Sequence, residues 1–159
     1  MPEETPCDRS TPAARGASIP RDIGINLIAP LHIIHSVVPW MRSPGGAIVN
    51  TISLAAITPL AGSSVYSATK FGVVAFSEAL RREVYQHNIR VTVIEPGVVE
   101  TELRDHIGHA VTKDNLNAWA DSMRQLQSVD VAEAITFCVS RPSHVNINEV
   151  LMRPTDQER

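Results

Sequence analysis

Two cysteines, two tyrosines and two tryptophans are all the chain holds of those types in 159 residues. Cys7 and Cys138 show no metal-ligand spacing and stand far apart. Neither a zinc module nor a disulfide framework is expected, and two isolated thiols suit a reducing, cytoplasmic compartment. Positive charge is not in excess. Fourteen Lys and Arg against seventeen Asp and Glu give a formal net charge of −3 and a pI near 6.0, without the basic footprint of a nucleic-acid binder. No apolar run is read as long enough to span a bilayer, so no membrane partner is expected. The opening MPEETPCDRS is polar and acidic, with no secretory-signal pattern. What is plentiful is core material: 43% of residues are hydrophobic, enough for one globular domain.

Composition shifts once along the chain. Residues 1–21 carry four prolines and no apolar period, and read as a disordered tail. From Asp22 to the end, residues 22–159 read as one folded unit. Leu27, Leu31, Ile34, Val38 and Met41 recur at helical spacing, with Pro30 and Pro39 expected to bend or bound the helix. SPGG breaks the chain, and AIVNTI follows as a short strand buried on both faces. SLAAITPLAGSS is a loop. A long helix is expected over about 65–86, a strand over IRVTVIEPG stopped by Pro96-Gly97, and a helix over 115–127. Asp130 with Glu133 predicts a capping box ahead of AEAITFCVS, and residues 146–152 a last strand. Helices alternating with strands predict a parallel α/β sheet, whose ligands lie beyond the carboxyl ends of the strands. Ser53 and Glu95-Pro96-Gly97 fall at that edge.

The chemistry concentrates in SSVYSATKFG, residues 63–72. Tyr66 and Lys70 are four apart on one helix, so they share a face. A free phenol has a pKa of about 10, too high for a base at neutral pH. An ammonium about 4 Å away, at an effective dielectric of about 20, favours the phenolate by about 4 kcal/mol. That corresponds to roughly 3 pKa units before desolvation opposes it. A phenol so tuned does general acid–base work near pH 7. Ser53, thirteen residues before Tyr66, is placed to hold the same substrate oxygen. Competing readings stand beside these: Tyr66 as a packing aromatic, Asn26 as a capping or surface residue, Thr101 as a helix cap, and Pro96-Gly97 as a plain strand stop. The pairs His32/His35 and His106/His109 lack a third ligand, and no metal site is expected.

The order Asn26, then IVNTIS ending in Ser53, then YSATK from Tyr66 to Lys70, then IEPGVVET, resembles the classical short-chain dehydrogenases/reductases. YSATKFGVVAFSEALRREV and HVNINEVLMRPTDQ look most like the branch of NADP-dependent 3-hydroxy-acid and clavulanate-dehydrogenase-like enzymes. The resemblance implies hydride transfer between NADP(H), or NAD(H), and a small-molecule carbonyl or secondary alcohol. Tyr66 would pass the proton and Ser53 orient the substrate. Lys70 would tune the phenol and hold the nicotinamide ribose, and Asn26 would hold a water behind Lys70. Tyr66, Lys70, Pro96, Gly97, Val99 and Thr101 would contact the nicotinamide end of the cofactor.

None of the eight glycines forms the G-x-x-x-G-x-G turn with which that family cradles the pyrophosphate. The expectation is therefore an incomplete doubly wound, Rossmann-type parallel sheet lacking its N-terminal strands. Such a truncated chain is expected to leave AIVNTI as an open edge, to bind cofactor weakly and to be weak or inactive alone. A second reading is a non-catalytic association module. The resemblance implies that helices over 22–42 and 64–87 pack against a partner subunit, giving a homo-oligomer.

Overall fold

The computed structural model describes residues 19–59, 63–102 and 110–158. The stretch 1–18, most of the expected tail, lies outside the described residues. Helix begins at Ile19 rather than Asp22, because Pro20 suits a first helical turn whose N–H groups have no acceptor. The run comprises α1 (Ile19–Ile23), a π turn (Gly24–Ile28) and α2 (Ala29–Met41). Pro30 sits at the start of α2 and Pro39 within it.

The expectation that no apolar run is long enough to span a bilayer does not hold. The helical run Ile19–Met41, with a mean hydropathy of 1.4 and 6% of its apolar window buried, is long and apolar enough to cross a membrane. Reading by runs missed it because Asn26, His32, His35 and two prolines interrupt the apolar positions, although none carries a full charge at neutral pH. One such helix is weak evidence of a membrane, since the core helix of a soluble protein passes the same test. Its inward stripe, centred on Ile34, packs against the sheet.

Strands β1 (Gly46–Thr51), β2 (Ile89–Pro96) and β3 (Glu149–Met152) form a parallel sheet in the order β1-β2-β3. Ile48 pairs with Val91, and Val93 with Glu149. Helix α3 (Ser64–Val84) covers one face. With Ile34 of α2 it closes a core of Ile48, Leu80, Val84, Ile89 and Val91. Asn50 on β1 donates to Ser77 Oγ on α3 at 2.8 Å, which partners the polar side chain that β1 turns to that face.

Helices α4 (Ala110–Asp121) and α5 (Ser128–Val139) follow β2. The helix expected over 115–127 stops at Asp121, where Ser122 Oγ donates to the Trp119 carbonyl and Leu126 leaves to bond the loop after β2. The capping box at α5 is built from Gln127 and Asp130, not from Asp130 and Glu133. Gln127 N donates to Asp130 Oδ2 at 2.6 Å, which makes Asp130 the third helical residue instead of the cap. Arg90, on the opposite face of β2 from the core, donates to the carbonyls of Cys138, Val139, Arg141 and Val145. A guanidinium there neutralises the negative end of α5 and ties it to the sheet. The last strand starts at Glu149 rather than Asn146. The Asn146 carboxamide replaces a ladder residue, accepting from Val91 N at 2.8 Å and donating to Val91 O at 3.0 Å.

Candidate active site

Ser53 lies two residues past β1, in extended backbone, and its Oγ accepts from Ala55 N at 3.2 Å. Tyr66 is in the first turn of α3, where Ser67 N bonds Ser63 O and Thr69 Oγ1 donates to Tyr66 O at 2.6 Å. These bonds fix the turn that aims the phenol. The Ser53 hydroxyl hydrogen-bonds the phenol and favours its ionised form. Lys70 Nζ stands 5.3 Å from the Tyr66 ring centroid.

The electrostatics differ from the sequence expectation. Burial pushes the Tyr66 phenol above its ordinary value of 10.0, and only the Ser53 hydrogen bond opposes it. Lys70 is itself lowered by burial. Its ammonium lies over the face of the ring, where it meets the π-electrons rather than sitting beside the phenol oxygen. A protonated phenol in this setting is a proton donor at neutral pH.

Asn26 is in the π turn, a helical distortion frequent at functional sites. That turn packs on α3 because Gly72 leaves room. A side chain there would begin 3.0 Å from Leu27 Cδ1. Asn26 is thus placed against the helix that bears Lys70, without lining the cleft.

Pro96 ends β2, and Gly97, Val99 and Thr101 follow it. Gly97 N donates to Met152 O at 2.8 Å. Val98 N donates to Gln157 Oε1 at 3.0 Å, and the same Oε1 occupies the place a Cβ on Gly97 would take. Leu126 pairs with the loop from the other side, through Leu126 N to Val98 O at 3.0 Å and Glu100 N to Leu126 O at 2.9 Å.

Ser53, Tyr66, Pro96, Gly97, Val99 and Thr101 together line a cleft of about 420 Å³, with Thr51, Trp119, Ser128 and Val131 completing it. That volume is in the range of small-molecule sites. A smaller pocket of about 110 Å³ adjoins it behind Ser53, bounded by Leu54, Thr58, Trp119 and Gln157. Six of the eight residues singled out from the sequence therefore share one cavity, and Lys70 joins it through Tyr66. From α4, Leu116 and Trp119 reach the cleft. Gln157 escaped sequence reasoning, since no period marks a lone polar residue. Its only signal was its place at the end of HVNINEVLMRPTDQ.

The cleft suits the nicotinamide end of a dinucleotide: it is large enough for a ring and a small substrate, and it is walled by a hydroxyl pair and a proline-glycine loop. No residue of the described chain forms a phosphate cradle around it.

Comparison with known proteins agrees with this geometry. The protein-family model "short chain dehydrogenase" matches residues 9–112. A serine 3-dehydrogenase of Agrobacterium fabrum is 34% identical over 137 residues, covering 85% of this chain and 54% of its own. The crystal structure of serine dehydrogenase from Escherichia coli superposes with a TM-score of 0.72 at 31% identity, over 90% of this chain and 56% of that one. A closed form of serine dehydrogenase complexed with NADP+ gives 0.76 at 35% identity, over 86% and 56%. The chain spans about half the length of the curated relatives it matches. With the family match running through Ser53, Tyr66, Lys70 and the proline-glycine loop, the chain belongs to the short-chain dehydrogenase family.

Proposed function

We propose that the chain carries the nicotinamide-and-substrate side of a short-chain oxidoreductase site, with NADP(H) as the favoured cofactor and NAD(H) the alternative. The observation that carries this is the shared cleft in which the Ser53 hydroxyl meets the Tyr66 phenol opposite the Pro96–Thr101 loop. The nicotinamide, when bound, gives a hydride to a carbonyl carbon or takes one from a carbinol. Pro96, Gly97, Val99 and Thr101 would hold that ring, and Tyr66 and Lys70 its ribose. Ser53 holds the substrate oxygen. Tyr66 Oη, protonated at neutral pH, gives its proton to the oxygen as it becomes an alkoxide, a much stronger base than phenolate. The upward shift of the phenol thus favours carbonyl reduction over alcohol oxidation at neutral pH. Lys70 supports the phenol from its ring face, and Asn26, on the π turn packed against the same helix, would hold a water behind it.

NADP is favoured because one similar structure is an NADP+ complex. The chain contains no G-x-x-x-G-x-G turn, so its own affinity for a dinucleotide is weak and its turnover alone is low. The test is NADPH oxidation by the purified chain over a panel of small carbonyl compounds, 3-oxo acids among them. Carbonyl-dependent oxidation supports the reading; none across the panel, in a chain shown folded by circular dichroism, rejects it for this polypeptide.

A second reading, a non-catalytic association module, rests on the outward faces of the helices over 22–42 and 64–87. Ile25, Ile33 and Trp40 are 59%, 62% and 86% exposed, and Phe71 and Tyr85 are exposed on the second helix. Apolar surface so placed fits a second copy of the chain, giving a homo-oligomer. Size-exclusion chromatography separates the readings: a stable dimer without turnover favours association, and turnover lost in Tyr66→Phe favours catalysis. Pelleting with neutral lipid vesicles instead would assign the same face to a membrane.

A further inference from the structure

Glu95 is the one charged residue among the described residues that is wholly buried, at 0% exposure, and no donor reaches either of its carboxyl oxygens. A buried carboxylate without donors is among the most costly groups a fold can hold. Its place on β2 shows what relieves it. Side chains alternate along a strand, so Glu95 lies on the same face as Ile89, Val91 and Val93, the face that packs on α3. Across the β2–β3 ladder Val93 pairs with Glu149 and Glu95 with Leu151. Glu149 is thus on the same face, one step along the neighbouring strand. The group that approaches Glu95 is another acceptor, and two carboxyl groups can hold a hydrogen bond only when one of them keeps a proton.

We propose that Glu95 and Glu149 share a single proton and so form a pH-sensitive latch between β2 and β3, which fixes the loop lining the cleft. The loop depends on β3 directly. Gly97 N bonds Met152 O at the end of that strand, and Val98 N bonds Gln157 Oε1 five residues further on. Loss of the shared proton puts two like charges on adjacent strands, one of them without water. The edge strand β3, only four residues long, is the element able to move away. Met152 and Gln157 would move with it, and Gly97 and Val98 would lose their acceptors.

The surroundings offer no rival to the proton. Helix α3 presents Tyr66 and Lys70 near its start and Glu78, Arg81, Arg82 and Glu83 further along, the first three of these four bound to one another. Strand β1 presents Asn50 on this face, occupied by Ser77. Arg90 is on the other face, engaged by the end of α5, and the buried Cys138 thiol of that helix is on the same side. Among the described residues, Glu149 is the only titratable group that acts on Glu95, adding to burial to push it up to about 8. The latch would be closed at neutral pH and open above that value.

Amide hydrogen exchange on the whole chain tests this without any need for turnover. After correction for the intrinsic rate, protection of Gly97 and Val98 should fall about tenfold or more as the pH rises from about 6.5 to about 9. Leu80 and Val84 on α3 should keep theirs. In Glu149→Gln, at an exposed position, the midpoint should move down in pH, because the like charge is gone; in Glu95→Gln the step should vanish. Flat protection in the wild type, an unmoved midpoint in Glu149→Gln, an equal loss at Leu80 and Val84, or removal of the step by added Mg²⁺ or Ca²⁺ would each overturn the latch. Should Glu95→Gln fail to fold, Glu149→Gln decides by itself. A latch that fails this test leaves the oxidoreductase reading untouched, since carbonyl reduction is assayed separately.

Discussion

Lys70 holds its ammonium over the ring of Tyr66, 5.3 Å from the centroid, while Ser53 reaches the phenol. The cation therefore steadies the ring from its face, and the serine hydroxyl is the group that favours phenolate. Burial outweighs that hydrogen bond and holds the phenol above its ordinary value.

A direct consequence concerns titration. With Tyr85→Phe as background, Tyr66 is the only tyrosine left to report in ultraviolet difference spectra. Its pKa should lie above 10.0, and Ser53→Ala should raise it further, because the one interaction that lowers it is removed. The sign for stability follows. A folded-state pKa above the unfolded one means that the stabilising contribution is complete below pH 10 and is lost as pH rises through the folded value. A phenol titrating below 10 in this background would contradict the geometry.

Gly97 and Gln157 should behave as a coupled pair. In Gly97→Ala the new methyl meets Gln157 Oε1, and overpacking of this kind costs about 1–3 kcal/mol. Gln157→Ala removes the obstructing atom but leaves Val98 N without its acceptor. The double variant should therefore be more stable than the sum of the single losses implies, with a coupling of about 0.5–3 kcal/mol in urea denaturation. Additivity would show that the two residues do not touch.

The sheet core should depend on Ile94, which is fully buried on the central strand. Ile94→Ala should lose about 2–5 kcal/mol, the usual cost of an isoleucine-sized cavity. Exposed Ile33→Ala on α2 should lose far less in the monomer, and a comparable loss there would reveal that a partner covers that face.

Glu78 is held by two arginines, Arg81 at 2.7 Å and Arg82 at 2.7 Å, and its carboxyl is lowered to about 2. A depressed carboxyl stabilises the fold above its unfolded pKa, and that stability is lost as pH falls toward the folded value. The difference in Tm between wild type and Glu78→Gln should accordingly shrink in acid. It should also shrink in molar salt, because the group is exposed to solvent. A difference independent of salt would point to a packing role.

Much of this site was legible in sequence because its residues are tied to element ends. Ser53 follows a strand, Tyr66 and Lys70 share one helix face, and Pro96-Gly97 stops the next strand, so order alone brings them to one sheet edge. The parallel three-stranded sheet was legible for the same reason, through alternating periods. What escaped depends on geometry that no period encodes. Whether Lys70 meets the oxygen or the face of Tyr66 is a matter of rotamers. Gln157 and Asn146 act through carboxamides that substitute for backbone, which looks like ordinary polarity in a sequence. Glu95 closes the strand in IRVTVIEPG, where it reads like the other polar residues Arg90 and Thr92, and only the fold shows that it is sealed without a donor. The capping box shifted by one turn because Gln127, a less usual cap, supplied its side chain where Asp130 was expected to.

The central claim is that Tyr66 supplies the proton in a nicotinamide-dependent reduction. The most direct measurement compares carbonyl-dependent NADPH oxidation by the wild-type chain and by Tyr66→Phe, at equal concentration and with matched circular dichroism. Removing the phenol hydroxyl alone should lower the rate by about 10²–10⁴-fold, the ordinary worth of a positioned general acid. Equal rates in the two proteins would contradict the claim.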